Sequence, residues 1–191
     1  MEHVLVHLLS QMTPLSEEEE WDIAQSFPIK MFPKGTYLLR EGQVASETYY
    51  IIEGCIREYE LREDEEKTTA FYTENEAVAN FYSITSQSPS RLNLVCVEDS
   101  RLSVLSAKQE AELYKKYPRF ETFCRTGMEQ MFGEKQEQTS LFMSMKPTDR
   151  YVMLLEKRPG LINRVPQYQL ASYLGVKPET LSRIRRKLAK N

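Results

Sequence analysis

Residues 166–188 run Pro166-Gln-Tyr-Gln-Leu-Ala-Ser-Tyr-Leu-Gly-Val-Lys-Pro-Glu-Thr-Leu-Ser-Arg-Ile-Arg-Arg-Lys-Leu188, and few backbones can satisfy that order. Pro166 suits a helix start, and Pro178 suits the first turn of a second helix, where the missing N–H has no partner to lose. Between them Gly175 can take the left-handed conformation that a tight turn needs. Leu170 and Leu174 fall on one side of the first helix. The small Ala171 lets the second helix approach, and Val176 fills the angle between the two. Leu181, Ile184 and Leu188, three and four apart, give the second helix one apolar face. The spacing predicts helix, tight turn, helix.

The opposite side of that second helix carries Glu179, Thr180, Ser182, Arg183, Arg186 and Lys187, with Lys177 just before it. A carboxylate can accept from cytosine N4, arginine can take guanine bidentately, and further cations neutralise phosphates. The same residues on a plain helical hairpin would form a solvated basic surface. Charge sharpens the choice. Residues 146–191 hold 11 basic and 3 acidic side chains, whereas residues 1–145 hold 14 and 25, so a +8 end is joined to a −11 body within a 191-residue chain of net −3. A basic end on an acidic body predicts two parts, one of which prefers a polyanion. The balance flips near residue 145, where a domain boundary is expected.

The body reads as a mixed structure. Ser16 with Glu19 three positions on has capping-box spacing and predicts a helix over 14–24. From about 27 to 105, short runs rich in β-branched and aromatic residues (36–39, 48–52, 55–61, 68–72, 92–97 and 101–105) are punctuated by Gly35, Gly42, Gly54 and a charged segment, Arg62–Lys67, expected to be a solvated hairpin tip. Such spacing argues for an antiparallel sandwich or roll. Ser106 opens a further helix, and Pro118 starts a long one to about 143. On it Phe120, Phe123, Cys124, Met128, Met131 and Phe132 recur as one stripe, either a core face or a helix-pairing surface. Another helix is expected over 149–157, ended by Pro159-Gly160.

Composition excludes several classes. No apolar run approaches the roughly 20 residues that span a bilayer, so no membrane partner is expected. The start, Met1-Glu2-His3, lacks a basic leader, and three dispersed cysteines favour a reducing cytoplasm. With only His3 and His7, a metal hydrolase is disfavoured. No nucleophile–base pair or Gly-rich phosphate loop argues for an enzyme.

Residues 175–184, Gly175-Val-Lys-Pro-Glu-Thr-Leu-Ser-Arg-Ile184, resemble the recognition-helix signature of the Crp/Fnr superfamily of bacterial transcription regulators. Pro33-Lys-Gly35, Arg40-Glu-Gly-Gln43, Tyr49-Tyr-Ile-Ile-Glu-Gly54 and Ile56-Arg57 resemble that family's cyclic-nucleotide-binding β-roll. The resemblance implies an α+β architecture: an effector-sensing antiparallel β-roll (a jelly roll) over 1–117, a dimerisation helix over 118–145 and a helix-turn-helix DNA-binding domain over 146–191. It implies a cytoplasmic homodimer that reads a pseudo-palindromic operator in double-stranded DNA and contacts RNA polymerase. It places Glu179 and Arg183 where the family reads bases. Pro178 stands where an arginine is usual, so the operator sequence does not carry over.

The effector is a different matter. Nucleotide-binding members use a Gly-Glu pair followed by an arginine and small residues. The nearest equivalents here are Asn75-Glu76 and Ser90-Arg91-Leu92, making Glu76 and Arg91 the candidate pocket residues. The glycine is missing and bulky Leu92 follows, so a cyclic nucleotide is disfavoured. An iron–sulfur cluster is disfavoured because the N-terminal cysteine cluster is absent. Haem stays open, with His3, His7 or a methionine as ligand. The competing functional reading is a ligand-sensing module that signals by protein–protein contact, its basic end, including Lys190, docking an acidic partner.

Overall fold

The computed structural model describes residues 3–189. Two short helices, α1 (Val4–Ser10) and α2 (Glu17–Ser26), precede the strands. The capping box at Ser16 is complete: the Ser16 backbone nitrogen donates to Glu19 Oε2 at 2.8 Å, and the Glu19 nitrogen donates to Ser16 Oγ at 3.3 Å. Four acidic residues then fill the first turn of α2, at the positive end of its dipole.

Eight strands follow: β1 (Ile29–Phe32), β2 (Tyr37–Leu39), β3 (Glu47–Glu53), β4 (Ile56–Arg62), β5 (Glu65–Tyr72), β6 (Ala77–Val78), β7 (Asn93–Cys96) and β8 (Ser100–Ser106). They form two four-stranded sheets, ordered β1-β8-β3-β6 and β2-β7-β4-β5, every pairing antiparallel. Alternate residues point between the sheets, and Tyr49, Ile51, Ile56, Leu94, Leu102 and Val104 make the sandwich core. A short helix, α3 (Phe81–Ser86), crosses from β6 toward β7. The architecture is the antiparallel jelly-roll-like β-roll expected from the strand spacing.

The hairpin tip is smaller than the charge pattern suggests. Arg62 pairs with Glu65, so only Glu63 and Asp64 turn, both at positive φ (50° and 63°). A two-residue turn of that hand matches strand twist, and Glu65, Glu66 and Lys67 become strand.

After β8 come α4 (Ala107–Lys116), capped by Ser106, and the 27-residue α5 (Pro118–Ser144). Phe120 is buried with Val6, Ile23, Phe27 and Leu113, which fastens the start of α5 to the N-terminal helices. Farther along, the stripe loses cover. Phe123, Cys124, Met128 and Met131 are half-buried, while Phe132 and Met143 are each 71 % exposed. Within one chain the stripe is therefore a core face only at its beginning.

The C-terminal part comprises α6 (Pro147–Lys157), α7 (Leu161–Arg164), α8 (Gln167–Leu174) and α9 (Pro178–Leu188). Pro147 starts α6, two residues earlier than the sequence pattern suggests. Leu161, Leu170, Ala171, Leu174, Leu181 and Ile184 form its core, and Cys55, Phe71 and Val97 from the strands join the same cluster. Among the described residues no helix is long and apolar enough to cross a membrane.

Candidate nucleic-acid interface

The helix pair α8–α9 is built as its residues dictate. Gly175 ends α8 at φ 73°, a conformation that costs a residue with a Cβ. The Val176 nitrogen reaches back to the Ala171 carbonyl at 3.0 Å, closing the turn. Leu170, Ala171 and Leu174 are fully buried, Leu181 is nearly so, and Ile184 lies on the same inner side of α9.

Burying that side turns the other outward. Lys177 stands at the N-cap of α9. Lys177, Glu179, Ser182, Arg183, Arg186 and Lys187 are all exposed, while Thr180 is half-buried. Arg183 donates to Thr180 Oγ1 at 3.1 Å, which leans its guanidinium along the helix toward the N-terminal turn. All seven candidate residues thus lie on one helix and its cap. Arg185 points elsewhere and donates to Gln167 Oε1 at 2.6 Å, tying α9 to α8. Glu179 in the first turn and Arg185, Arg186 and Lys187 in the last suit the helix dipole. Lys190 lies outside the described residues.

Arg150 on α6 has no counterpart in the sequence reading. Its Nε donates to the carbonyls of Phe142 (2.9 Å) and Met145 (3.1 Å), and one terminal nitrogen donates to the Leu174 carbonyl at 3.2 Å. One side chain therefore joins the end of α5, the α5–α6 connection and the end of α8. The carbonyls at helix C-termini lack internal partners, which makes them acceptors for such a group.

The two candidate pocket residues are not brought together. Glu76 accepts from the Thr73 backbone nitrogen at 2.6 Å and pairs with Arg158 at the end of α6. It lines a cleft of about 220 Å³ with Thr73, Lys157, Arg158, Gly160, Leu161 and Arg164. Arg91 is exposed between α3 and β7 and lines neither that cleft nor the larger one. The larger cavity, about 380 Å³, opens beside the β2–β3 connection; Leu39, Val44, Ala45 and Leu94 give it an apolar part, and Glu47, Tyr49 and Asn80 a polar one. Tyr49 donates to Glu47 Oε2 at 2.6 Å, and burial together with that carboxylate holds the phenol well above its usual range. Asn80 caps α3 through Ser83 and donates to Ser90 Oγ at 2.8 Å.

This cavity offers a cyclic nucleotide's phosphate no cationic partner. A phosphate is commonly held by a positioned guanidinium, whereas the described lining holds a carboxylate and no Arg or Lys. Haem fares no better at His3, whose Nδ1 accepts from the Leu5 nitrogen (3.3 Å) and whose Nε2 bonds the Phe27 carbonyl (2.8 Å).

Comparison with known proteins places this geometry. Residues 29–117 match the family model described as the cyclic nucleotide-binding domain. No curated protein matches the chain. Among solved structures, the c-di-GMP-responsive global regulator CLP of Xanthomonas campestris is similar at TM-score 0.69 and 18 % identity, over 92 % of each chain. FixK2 of Bradyrhizobium japonicum is similar at TM-score 0.68 and 16 % identity, over 86 % of this chain and 85 % of that one. The catabolite activator protein of Thermus thermophilus follows at TM-score 0.53 and 20 % identity, over 94 % and 86 %. With its β-roll, long α5 and terminal helix pair, this chain shares the fold of these three proteins, and its residues 29–117 match the cyclic nucleotide-binding domain.

Proposed function

We propose that this chain is a homodimeric, sequence-specific DNA-binding transcription regulator of the Crp/Fnr type, with α9 as the recognition helix. The observation that carries the reading is the exposed face of Lys177, Glu179, Ser182, Arg183, Arg186 and Lys187, backed by buried Leu181 and Ile184. Glu179, Thr180, Ser182 and Arg183 read bases from the major groove, and Lys177, Arg186 and Lys187 hold phosphates. The −11 charge of residues 1–145 repels the duplex and confines contact to this face.

Dimerisation through α5 supports the same reading. Phe132, Leu141 and Met143 are more than half exposed on one long helix, and a second copy of that helix is the surface complementary to them. Two recognition helices then meet half-sites about 34 Å apart. The division into a sensing part (1–117), a pairing helix (118–145) and a reading part (146–191) follows.

The test is selection of genomic fragments by the purified protein, followed by titration of the retained site at several salt concentrations. Arg183→Ala relaxes base preference, and Lys187→Ala lowers the salt slope by about one while leaving preference intact. Retention of no DNA, or variants that bind every sequence as the parent does, refutes the assignment.

A further inference from the structure

The reading part is fastened to the β-roll by more than the chain connection. Arg158 donates to the Phe71 carbonyl at 2.9 Å and to Thr73 Oγ1 at 2.8 Å, and pairs with Glu76. Arg164 forks onto both oxygens of Glu74, at 2.7 and 2.8 Å, and its Nε donates to Glu98 at 3.0 Å. Ser172 on α8 donates to the Glu66 carbonyl and accepts from the Thr68 nitrogen, both at 3.0 Å. The two arginine side chains are only 24 % and 26 % exposed, and between them Phe71 meets the Tyr173 ring edge-on at 5.5 Å.

These contacts fix orientation as well as attachment, because forked arginine–carboxylate pairs are directional. On the other side of the reading part, Arg150 holds the α5–α6 connection to the end of α8. In this docked arrangement the recognition face is open: Lys177, Glu179, Ser182, Arg183, Arg186 and Lys187 are all exposed. The carboxylates of the junction, Glu74, Glu76 and Glu98, lie outside the lining of the larger β-roll cavity, and in the smaller cleft that Glu76 lines, Arg158 and Arg164 are already paired with Glu76 and Glu74.

We infer that Arg158, Arg164 and Ser172 form a latch that holds the helix pair in its DNA-competent orientation without a small-molecule effector. The inference rests on the DNA-binding reading above and concerns its regulation. Docking leaves the recognition face bare, so nothing among the described residues has to move off that face before it meets a groove. Apparent affinity scales with the fraction of molecules in the competent state, so a latch weakened until one molecule in ten is docked raises the apparent Kd about tenfold.

The test uses the full chain, unfolded, dialysed and refolded to remove any carried ligand, with the selected operator as probe and nothing added. Thr68→Cys with Ser172→Cys, in a Cys124→Ser background, puts one thiol on each side of the junction, where Ser172 Oγ lies 3.0 Å from the Thr68 backbone nitrogen, and the mass of the oxidised chain reports whether the disulfide has formed; Cys55 and Cys96 are buried and left in place. The oxidised form is expected to bind the operator within about twofold of the parent. A loss of tenfold or more on oxidation, reversed by reductant, overturns the inference. Arg164→Met keeps an unbranched stem and removes the fork. It is expected to raise Kd about tenfold with the parent's circular dichroism spectrum, and the 68–172 disulfide is expected to restore binding. An unchanged Kd in Arg164→Met, or no restoration by the disulfide, likewise overturns it. A parent that retains no DNA sinks the DNA-binding reading itself, whereas a parent that binds and a double-cysteine variant that binds only when reduced sink the latch alone.

Discussion

Replacing Gly54 by alanine is expected to be among the most damaging single-methyl changes in the β-roll, and the magnitude can be built up in two parts. Gly54 turns the chain from β3 into β4 at φ 120°, a region that residues with a Cβ avoid, and holding alanine there costs about 1–3 kcal/mol. The added Cβ would also lie 2.6 Å from the Ser100 Cβ and 2.8 Å from its Cα. The Cα is backbone of β8, paired on both sides, so the overlap cannot be relieved by a rotamer and adds about 1–3 kcal/mol. The sum is about 4 kcal/mol. For a chain of this size that lowers the thermal midpoint by roughly 8–16 °C. The assay is circular dichroism melting of the parent, Gly54→Ala, Ser100→Gly and the double variant. Ser100→Gly removes the Cβ and Oγ but leaves the Cα, so the double variant recovers about 1–2 kcal/mol of overlap and none of the φ cost. A Gly54→Ala midpoint within about 2 °C of the parent, or full recovery in the double variant, would refute the reasoning. The position also bears on the junction, because the Gly54 nitrogen donates to Glu74 Oε1 at 2.9 Å.

Three other outcomes are expected. Leu181→Ala empties a site only 1 % exposed between α8 and α9 and costs about 2–5 kcal/mol, read as loss of operator binding together with a lower melting midpoint. Phe132→Glu with Met143→Glu places charge on the uncovered stripe of α5 and is expected to convert dimer to monomer in sedimentation velocity without unfolding the chain. Acid is expected to undo the junction late: the Arg164 guanidinium holds the Glu74 carboxyl down at about 2, against an ordinary glutamate value of about 4.3. A depressed carboxylate stabilises fully above the ordinary value and loses that contribution as pH falls toward 2. Arg164→Met should therefore flatten the stability–pH curve in that window, as measured by urea midpoints.

What could be read from the sequence, and what could not, divides by range. The turn at Gly175, the proline starts at 166 and 178 and the Leu181–Ile184 face are signals spanning fewer than 25 residues, and each is realised where its spacing puts it. The same holds for the Ser16 capping box and the β-roll strands from 36 to 106. The strands β1 and β6 and the helices α1, α3 and α7 are too short to carry a period. Glu76 is the instructive residue. Its neighbours suggested a ligand pocket, yet its partner is Arg158, 82 positions away. Arg164 with Glu74 and Ser172 with Thr68 are separated by 90 and 104 positions. No local pattern announces such pairs, because the fold and not the neighbouring residues brings them together. The uncovered half of the α5 stripe shows the same limit: its apolar content is plain, but which part of it stays uncovered emerges only from the packing of distant elements.

The two hydrogen bonds at Ser172 have a further consequence. β5 is the outer strand of its sheet, and the Glu66 carbonyl and Thr68 amide are the kind of unmatched groups through which outer strands recruit other chains. A helix from the reading part caps them with one hydroxyl. Swinging that part away would bare a template for strand addition, so on the proposed reading the docking that orients α9 also guards the protein's solubility. Variants that free the reading part should then be recognisable first in the test tube by clouding on storage.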